Sequence, residues 1–306
     1  MNRALLLTTV ALAIVLGACG DDDTESYTGE PSGRIVFTTD RDGNEELYAI
    51  GVDGSGAVNL TNSPARDSAP NVNRAGDRIA FISARTGAED VWIMAADGTG
   101  AVALTNDPAS DSSPVWSLDG LMVAHYSARD QLKGYLWVTQ VADGSAGPLL
   151  DSDDSAGADE ECSGGEPGDW LDDETVIYQG SYRELLTTGI CSVKLSGAER
   201  TAIYGKSGSV ALEPDLSPDG RKIAFMSNEP GNMDVYVMNA DGTGEERLTS
   251  DPGIDGWPAW SPDGQWLAFS SERTGNAEIY LMRPDGSDVR QVTSSDAADT
   301  LPTWLP

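Results

Sequence analysis

Acidic and basic side chains recur at fixed repeat positions in this sequence, and they are its first candidates for chemistry. An aspartate stands three residues before a proline in four copies, and arginines occupy a second recurring position. Pairing them copy by copy gives Asp67 with Arg85, Asp111 with Arg129, Asp255 with Arg273 and, if the chain ends meet, Asp299 with Arg41. In a fifth copy both positions change together, to Ala211 and Glu229, and this joint loss indicates that the two residues pair.

Two kinds of chemistry fit these positions. The residues form charge-assisted ion pairs that hold loops at a channel mouth, or they offer carboxylates to a hard cation or to a basic peptide. An aspartate that already pairs with arginine is a poorer metal ligand, so the sequence favours ion pairs and predicts no resident cofactor, with a divalent cation in the channel as the open alternative. Arg183, Glu213 and Glu229 have no matching residue of opposite charge and are the candidate ligand-binding residues.

Catalytic motifs fail on spacing or composition. The single histidine, His125, stands where other copies have phenylalanine, so we expect it to pack in the core. Gly205-Lys206-Ser207 lacks the first glycine of a phosphate loop, and the acidic stretch 151–157 lacks the glycine that a calcium loop requires. No Gly-x-Ser-x-Gly nucleophile turn is present. We therefore assign no catalytic residue, and an enzyme that works with carboxylates is kept as the alternative.

The N-terminal 18 residues have the pattern of an export signal. Arg3 precedes an apolar run over residues 4–16, and Leu16-Gly17-Ala18-Cys19 resembles a bacterial lipobox. The pattern predicts a lipid on Cys19, a solvated tether over residues 19–32, and a membrane-anchored lipoprotein of the bacterial cell envelope. In an exported protein, the remaining cysteines, Cys162 and Cys191, are predicted to form a disulfide.

Net charge restricts the class of partner. The chain carries 50 Asp and Glu against 19 Lys and Arg, which gives a formal charge of −31. Such a charge repels phosphate backbones and anionic lipid surfaces, so nucleic-acid binding is excluded as a main function. We expect contact with the membrane through the lipid anchor alone, and a preference for cationic partners.

An internal repeat defines the elements that position these residues. An apolar strand recurs at residues 33–37, 77–81, 121–125, 175–178, 221–225 and 265–269, with a period of 44 residues that an acidic insertion near 151–161 interrupts. Four short strands fit each unit, Asp-Gly turns join the outer two, and helix signals are nearly absent. This period is typical of β-propeller blades.

One turn motif links the repeats to a known family. Pro258-Ala259-Trp260-Ser261-Pro262-Asp263-Gly264, followed by an apolar strand, resembles the TolB-type repeat of the WD40-like β-propellers, and partial copies occur at 114–120 and 215–220. The resemblance covers residues 33–306. It implies an all-β, six-bladed propeller of four-stranded blades that serves as a binding platform, with the partner left open.

The strands at the two ends of the repeat predict how the ring closes. The repeat begins with a second strand, 35–38, and ends with a first strand, 302–306, so the two are predicted to complete one blade. The loops before the first strands and between the second and third strands then share one face, which we name the top face.

We expect a monomeric, non-enzymatic platform that binds a protein or peptide with a basic segment at this top face. A carbohydrate-binding or polysaccharide-cleaving propeller that uses channel carboxylates is the alternative.

Overall fold

Six four-stranded antiparallel sheets make up the protein in a computed structural model. The structure describes residues 27–129, 135–149, 162–182, 185–197, 199–229 and 231–306. Within these ranges no helix is long and apolar enough to cross a membrane. The six-bladed propeller that the repeat predicted is confirmed. Cys19, Arg183 and the acidic stretch 151–157 lie outside the described residues.

Each blade runs from an inner strand to a short outer strand. Blade 1 contains β24 (Asp299–Leu305), β1 (Arg34–Thr39), β2 (Glu46–Gly51) and β3 (Val58–Asn59). Blade 2 contains β4 (Asp67–Val72), β5 (Arg78–Ser83), β6 (Asp90–Ala95) and β7 (Val102–Ala103), and blade 3 contains β8 (Asp111–Trp116), β9 (Met122–Ser127), β10 (Tyr135–Gln140) and β11 (Ala146–Pro148). Blade 4 contains β12 (Pro167–Asp172), β13 (Thr175–Tyr182), β14 (Thr187–Lys194) and β15 (Arg200–Tyr204). Blade 5 contains β16 (Ala211–Leu216), β17 (Lys222–Ser227), β18 (Asp234–Asn239) and β19 (Glu246–Arg247), and blade 6 contains β20 (Asp255–Trp260), β21 (Leu267–Ser271), β22 (Glu278–Met282) and β23 (Arg290–Gln291).

Both faces of each blade are buried, which explains the continuous apolar runs in the second strands. In β1, every residue from Ile35 to Thr39 is buried, and β5 and β17 show the same pattern. A strand that packs on both faces does not alternate between apolar and polar residues. The core is therefore divided into clusters between neighbouring blades, with Phe37, Phe81, Phe225 and Phe269 fully buried.

Blade 1 closes the ring with strands from both ends of the chain. β24 pairs antiparallel with β1, with Arg34 opposite Leu305 and Thr39 opposite Asp299. Each inner strand contacts the inner strands of both neighbouring blades. The predicted closure is confirmed, although the inner strand begins at Asp299, three residues before the predicted start at Pro302.

A bulge in the inner strands accounts for the earlier start. In five blades the residue before the proline at the bulge has a positive φ near 50°, at Ala69, Ser113, Glu213, Trp257 and Leu301. The ladder to the second strand shifts register at this point in each of these blades. The proline that follows has no N–H to donate, which suits a bulge. As a result, the residues around the bulge line a central channel.

The disulfide prediction is confirmed in blade 4. Cys162 and Cys191 are bonded, with their Cα atoms 5.9 Å apart. Cys191 lies on β14, so the bond fastens the segment before β12 to the third strand of its own blade. Both cysteines are buried.

Candidate functional site

The four aspartates and arginines paired from the sequence do meet at the top face. Each aspartate is the first residue of its inner strand, and its side chain is fully buried. The distance from the arginine Nη2 to the nearest aspartate oxygen is 2.9 Å for Arg41 and Asp299, 2.7 Å for Arg85 and Asp67, and 3.1 Å for Arg273 and Asp255. In blade 3 the distance from Arg129 Nη2 to Asp111 Oδ2 is 3.6 Å, because Asp107 accepts a closer contact from Arg129 Nε.

Aromatic rings support each of these guanidinium groups from below. Arg273 Cζ lies 5.3 Å from the centroid of Phe269 and 4.7 Å from that of Tyr280. The same stacking places Arg41 on Phe37 and Tyr48, Arg85 on Phe81 and Trp92, and Arg129 on Trp137. The aromatic residues of the third strands therefore support the ion pairs as part of the core. Among the described residues, the four aspartates are not in the wall of the channel cavities, so they are not available to a ligand.

Blade 5 fills the place of the missing pair in another way. The ring of Tyr204 packs at a tilt against Phe225, with the centroids 5.2 Å apart, at the place where blades 1, 2 and 6 have an arginine. Lys206 Nζ lies 2.7 Å from Glu229 Oε2 and 3.1 Å from Glu245 Oε2. The expectation that Glu229 has no cationic neighbour is therefore wrong: a lysine from the preceding blade neutralises it.

His125 is packed inside blade 3, in the place that other blades give to phenylalanine. Its side chain is fully buried, and Nε2 lies 2.9 Å from Thr139 Oγ1. Nδ1 lies 3.6 Å from Asp111 Oδ1. Burial, followed by the charge of Arg129, lowers the pKa of His125 to about 4. The imidazole is therefore neutral at physiological pH and has no access to either channel cavity.

The central channel widens at both ends. A cavity of about 250 Å³ lies towards the top face, and one of about 430 Å³ lies towards the bottom face, which carries the other loops. Asn71, Asp215, Ala259 and Thr303 contribute to the walls of both and form a waist. Four tryptophans, Trp116, Trp170, Trp260 and Trp304, line the bottom cavity.

Side chains at one repeat position fasten three of the blades to the blade that follows. Asn71 Oδ1 accepts a hydrogen bond of 3.0 Å from Trp116 N, and Asp169 Oδ2 accepts one of 3.0 Å from Leu216 N. Asp215 Oδ2 accepts a bond of 2.6 Å from Trp260 N. All three acceptors occupy one repeat position, directly after the bulge. Asp169 and Asp215 were not predicted as site residues, although they share the repeat position of Asn71.

Carboxylates from blades 4 and 5 give the channel one acidic side. Burial raises the pKa of Asp169 to about 6, and burial and the charge of Asp169 raise the pKa of Asp215 well above its usual range. Closer to the top face, burial and then Glu166 raise the pKa of Glu213 to about 7. Burial also raises the pKa of Glu166. Burial disfavours the charged form of a carboxyl group, and it is the largest cause of all four raised pKa values.

Glu213 differs from its neighbours because no residue in the described part of the chain is bonded to its carboxylate. Glu166 Oε2 accepts a bond of 2.9 Å from Gln179 Nε2, and Gln179 Oε1 accepts one of 3.1 Å from the backbone N–H of Glu213. These two hydrogen bonds hold the Glu213 backbone at its positive φ of 52°. No described residue donates to the Glu213 carboxylate, which lines the top cavity. Of the two predicted ligand-binding residues that the structure describes, Glu213 has this geometry and Glu229 does not.

Two arginines carry positive charge at the ends of the channel. Arg66 lies at the top cavity and pairs with Glu45 and Glu89. Arg74 lies at the bottom cavity, where Nη2 donates to Pro218 O at 3.4 Å and its charge opposes the rise in the pKa of Asp169. Within the described part of the chain, no group of three or more His, Cys, Asp or Glu is placed to hold a metal ion.

Comparison with known proteins agrees with the repeats. Residues 175–306 match the TolB beta propeller domain family. Over 44 residues the chain is 54% identical to the Tol-Pal system protein TolB of Anaeromyxobacter dehalogenans strain 2CP-C, a match that covers 14% of this chain and 10% of that relative. This match therefore spans about a tenth of the relative's length.

Solved structures show the same fold at low sequence identity. TolB from Acinetobacter baumannii aligns with a TM-score of 0.76 and 17% identity, over 92% of this chain and 68% of that chain. A putative TolB from Agrobacterium tumefaciens aligns with a TM-score of 0.68 and 18% identity, over 90% of this chain and 92% of that chain. The resemblance to TolB-type repeats is confirmed.

Proposed function

We propose that this TolB-type β-propeller is a lipid-anchored binding platform of the bacterial cell envelope, and that it receives a basic segment of a partner protein through the top cavity of its channel. The observation that carries the proposal is Glu213, a carboxylate in the cavity wall with no donor among the described residues. A group whose pKa is strongly perturbed in a cleft is a candidate for function. A lysine or arginine side chain is the protein group that would neutralise it.

The surrounding charges favour a cation as well. Glu166, Asp169 and Asp215 lie on the same side of the channel, and each has a raised pKa. The formal charge of −31 attracts a basic segment over long range and accelerates its association at low salt. The relatives at the sequence level are named as Tol-Pal system proteins, which supports a role with protein partners.

The export signal and the disulfide support the proposed location. The lipobox at Leu16 to Cys19 is a sequence pattern, and the bond between Cys162 and Cys191 suits an oxidising compartment. In this proposal the lipid on Cys19 holds the propeller at a membrane, while the net charge keeps its surface from adhering to anionic lipids.

The carbohydrate alternative has weaker support in the structure. His125 is buried and neutral, so it is not available as a general base in the channel. Polyuronates are anionic, and the acidic side of the channel would repel them. A neutral polysaccharide is therefore the form of this alternative that the experiment must include.

A matched pair of variants tests the proposal. At pH 8, Glu213→Gln and Glu229→Gln each remove one negative charge, but Glu229 is already paired with Lys206. Proteins captured from cell-envelope extract by the purified propeller would be identified, and the affinity of a synthetic peptide from their basic segment measured in rising salt. We expect Glu213→Gln to weaken binding and Glu229→Gln to leave it nearly unchanged.

Three outcomes would contradict the proposal. Equal loss in both variants would indicate a non-specific effect of net charge. Binding that does not depend on salt would indicate that the basic segment is not recognised. Capture of neutral polysaccharide in place of protein would favour the alternative.

A further inference from the structure

Residues 28–30, just ahead of β1, are fixed to one place on the propeller. β1 begins at its bottom end, so the chain enters the ring from the bottom face. Ahead of β1, Thr28 N donates to Gln265 Oε1 at 3.0 Å. Arg283 Nη2 donates to Gly29 O, and Arg290 Nη1 lies 2.5 Å from Glu30 Oε2. We name residues 28–30 the strap, since they bind blade 6 although the strand that follows belongs to blade 1.

Blade 6 has a platform for the strap that the other blades lack. The guanidinium groups of Arg283 and Arg290 lie 3.8 and 4.7 Å from the ring centroid of Trp266, which is only 1% exposed. The positions equivalent to Arg283 hold Gly51, Ala95, Gln140, Lys194 and Asn239. The positions equivalent to Arg290 hold Val58, Val102, Gly147, Thr201 and Glu246. Only blade 6 has an arginine at both positions.

The turn from the strap into β1 is also fixed. Gly33 has a φ of 88°, and a Cβ at this position would approach Leu305 O to 2.5 Å. Only glycine fits such a turn without displacing the backbone of the closing strand. The direction in which the chain leaves the ring is therefore determined by local structure at the bottom face.

We propose that the strap orients the propeller on its lipid anchor, with the bottom face towards the membrane and the top cavity facing away from it. The inference rests on the proposed lipid at Cys19. Nine residue steps separate Cys19 from Thr28, a reach of about 30 Å when fully extended and about 17 Å as a flexible coil. The wall of the propeller is about 20 Å deep, from strands of six residues.

These lengths make the reverse orientation unfavourable. To bring the top face to the membrane, the tether would have to pass the full wall to the bottom rim, a distance greater than its coil length and about two-thirds of its full extension. Without the strap, the free chain would reach from Cys19 to Arg34, about 50 Å when extended, and the propeller could turn over. The strap therefore keeps the top cavity accessible to partners away from the lipid surface.

Energy transfer to the bilayer tests the orientation. The lipidated protein would be purified from bacterial membranes, its lipid checked by intact mass, and placed in phosphatidylcholine vesicles that carry an acceptor dye on the headgroup. A donor dye is attached to Ala57→Cys in an exposed bottom hairpin or to Ser110→Cys in an exposed top loop. We expect higher transfer from position 57 than from position 110.

Loss of the strap should reduce that difference. The double variant Arg283→Gln with Arg290→Gln removes its contacts, and Arg221→Gln, an exposed bottom-face arginine of blade 5, is the control for charge. Because the double variant also uncovers Trp266, its thermal unfolding is measured first. A second readout is independent of the dyes: chymotrypsin should cleave the Tyr27–Thr28 bond at the start of the strap, whose N–H is held by Gln265, and release the propeller from vesicles faster in the double variant than in the control.

The outcomes separate the anchor from the orientation. Absence of lipid from the mass overturns both proposals. Lipid together with equal transfer from the two positions overturns the orientation alone. Unequal transfer that the double variant leaves unchanged, with no faster release, overturns the strap as its cause.

Discussion

Glu213→Gln should make the protein more stable, and the gain should depend on pH. The carboxylate has a folded-state pKa of about 7 against an ordinary value of 4.5, because burial and Glu166 disfavour its charge. Between these two values the folded state binds more protons than the unfolded chain. By linkage, the contribution of Glu213 to stability falls as the pH rises through this window and is lost above pH 7.

The size of the effect follows from the difference between the two pKa values. At about 1.4 kcal/mol for each pH unit, it gives about 3 kcal/mol of destabilisation above pH 8. The side chain is partly exposed to water in the channel, so this figure is an upper bound. Glutamine keeps the shape of the side chain and removes its charge. We expect Glu213→Gln to raise the free energy of unfolding by up to about 3 kcal/mol at pH 8 and by almost nothing at pH 4.

Urea unfolding at several pH values between 4 and 8.5 measures the gain. Glu229→Gln is the control, since its carboxylate is partly exposed and paired with Lys206, and it should show no gain at any pH. A gain of the same size at pH 4 and pH 8 would refute the reasoning, because an uncharged carboxyl group would then be destabilising too. A loss at pH 8 would show that Glu213 has a partner in the folded protein.

Three further predictions concern the framework of the ring. Deletion of 301–306 removes most of β24 and should lower the thermal unfolding temperature of the whole propeller; an unchanged transition would contradict closure through blade 1. Asp255→Ala leaves Arg273 without its carboxylate and should cost about 3 kcal/mol in urea unfolding, part of which Arg273→Met should restore; equal losses in single and double variants would contradict this. Replacing Cys162 and Cys191 by alanine should cost about 3 kcal/mol, measured the same way under non-reducing conditions, and no loss would contradict a constraint on the unfolded chain.

The blades and the ion pairs could be predicted because each depends on residues that recur. The repeat fixes the number of blades, and the joint change at Ala211 and Glu229 identifies two positions that meet across strands. Pairing of the chain ends follows from counting strands within the repeat. In each case several copies carry the same information, so one irregular copy does not hide it.

The bulge could not be predicted from the sequence, since it depends on the closed ring. Ala69, Ser113, Trp257 and Leu301 have no common chemistry, yet all adopt a positive φ that such residues rarely adopt. Local preference would keep these residues extended, and the packing of six inner strands overrides it. The position that makes Glu213 a channel residue is therefore visible only in the folded ring.

The replacement in blade 5 shows a second limit. The sequence indicates that the ion pair is absent there, but not that Tyr204 and Lys206, from the end of the preceding blade, occupy its place. Contacts between blades join residues with no fixed spacing inside one repeat. For this reason the sequence does not predict that Glu229 is paired. Glu213, on the inner strand, has no donor to its carboxylate among the described residues.

Among the described residues, the carboxylates of the top face and the channel divide into those that an arginine neutralises and those without a cationic partner. Asp67, Asp255 and Asp299 are each bound by an arginine, so a ligand gains little from them. The ionised form of Glu213 instead destabilises the fold by up to about 3 kcal/mol. A partner ammonium that neutralises this charge can recover at most that free energy. The recovered free energy corresponds to roughly a hundredfold in Kd. Protonation of Glu213 removes the same gain. Affinity for a basic segment should therefore decrease as the pH falls below 7, and a binding isotherm that is unchanged from pH 8 to pH 5 would assign recognition to other carboxylates.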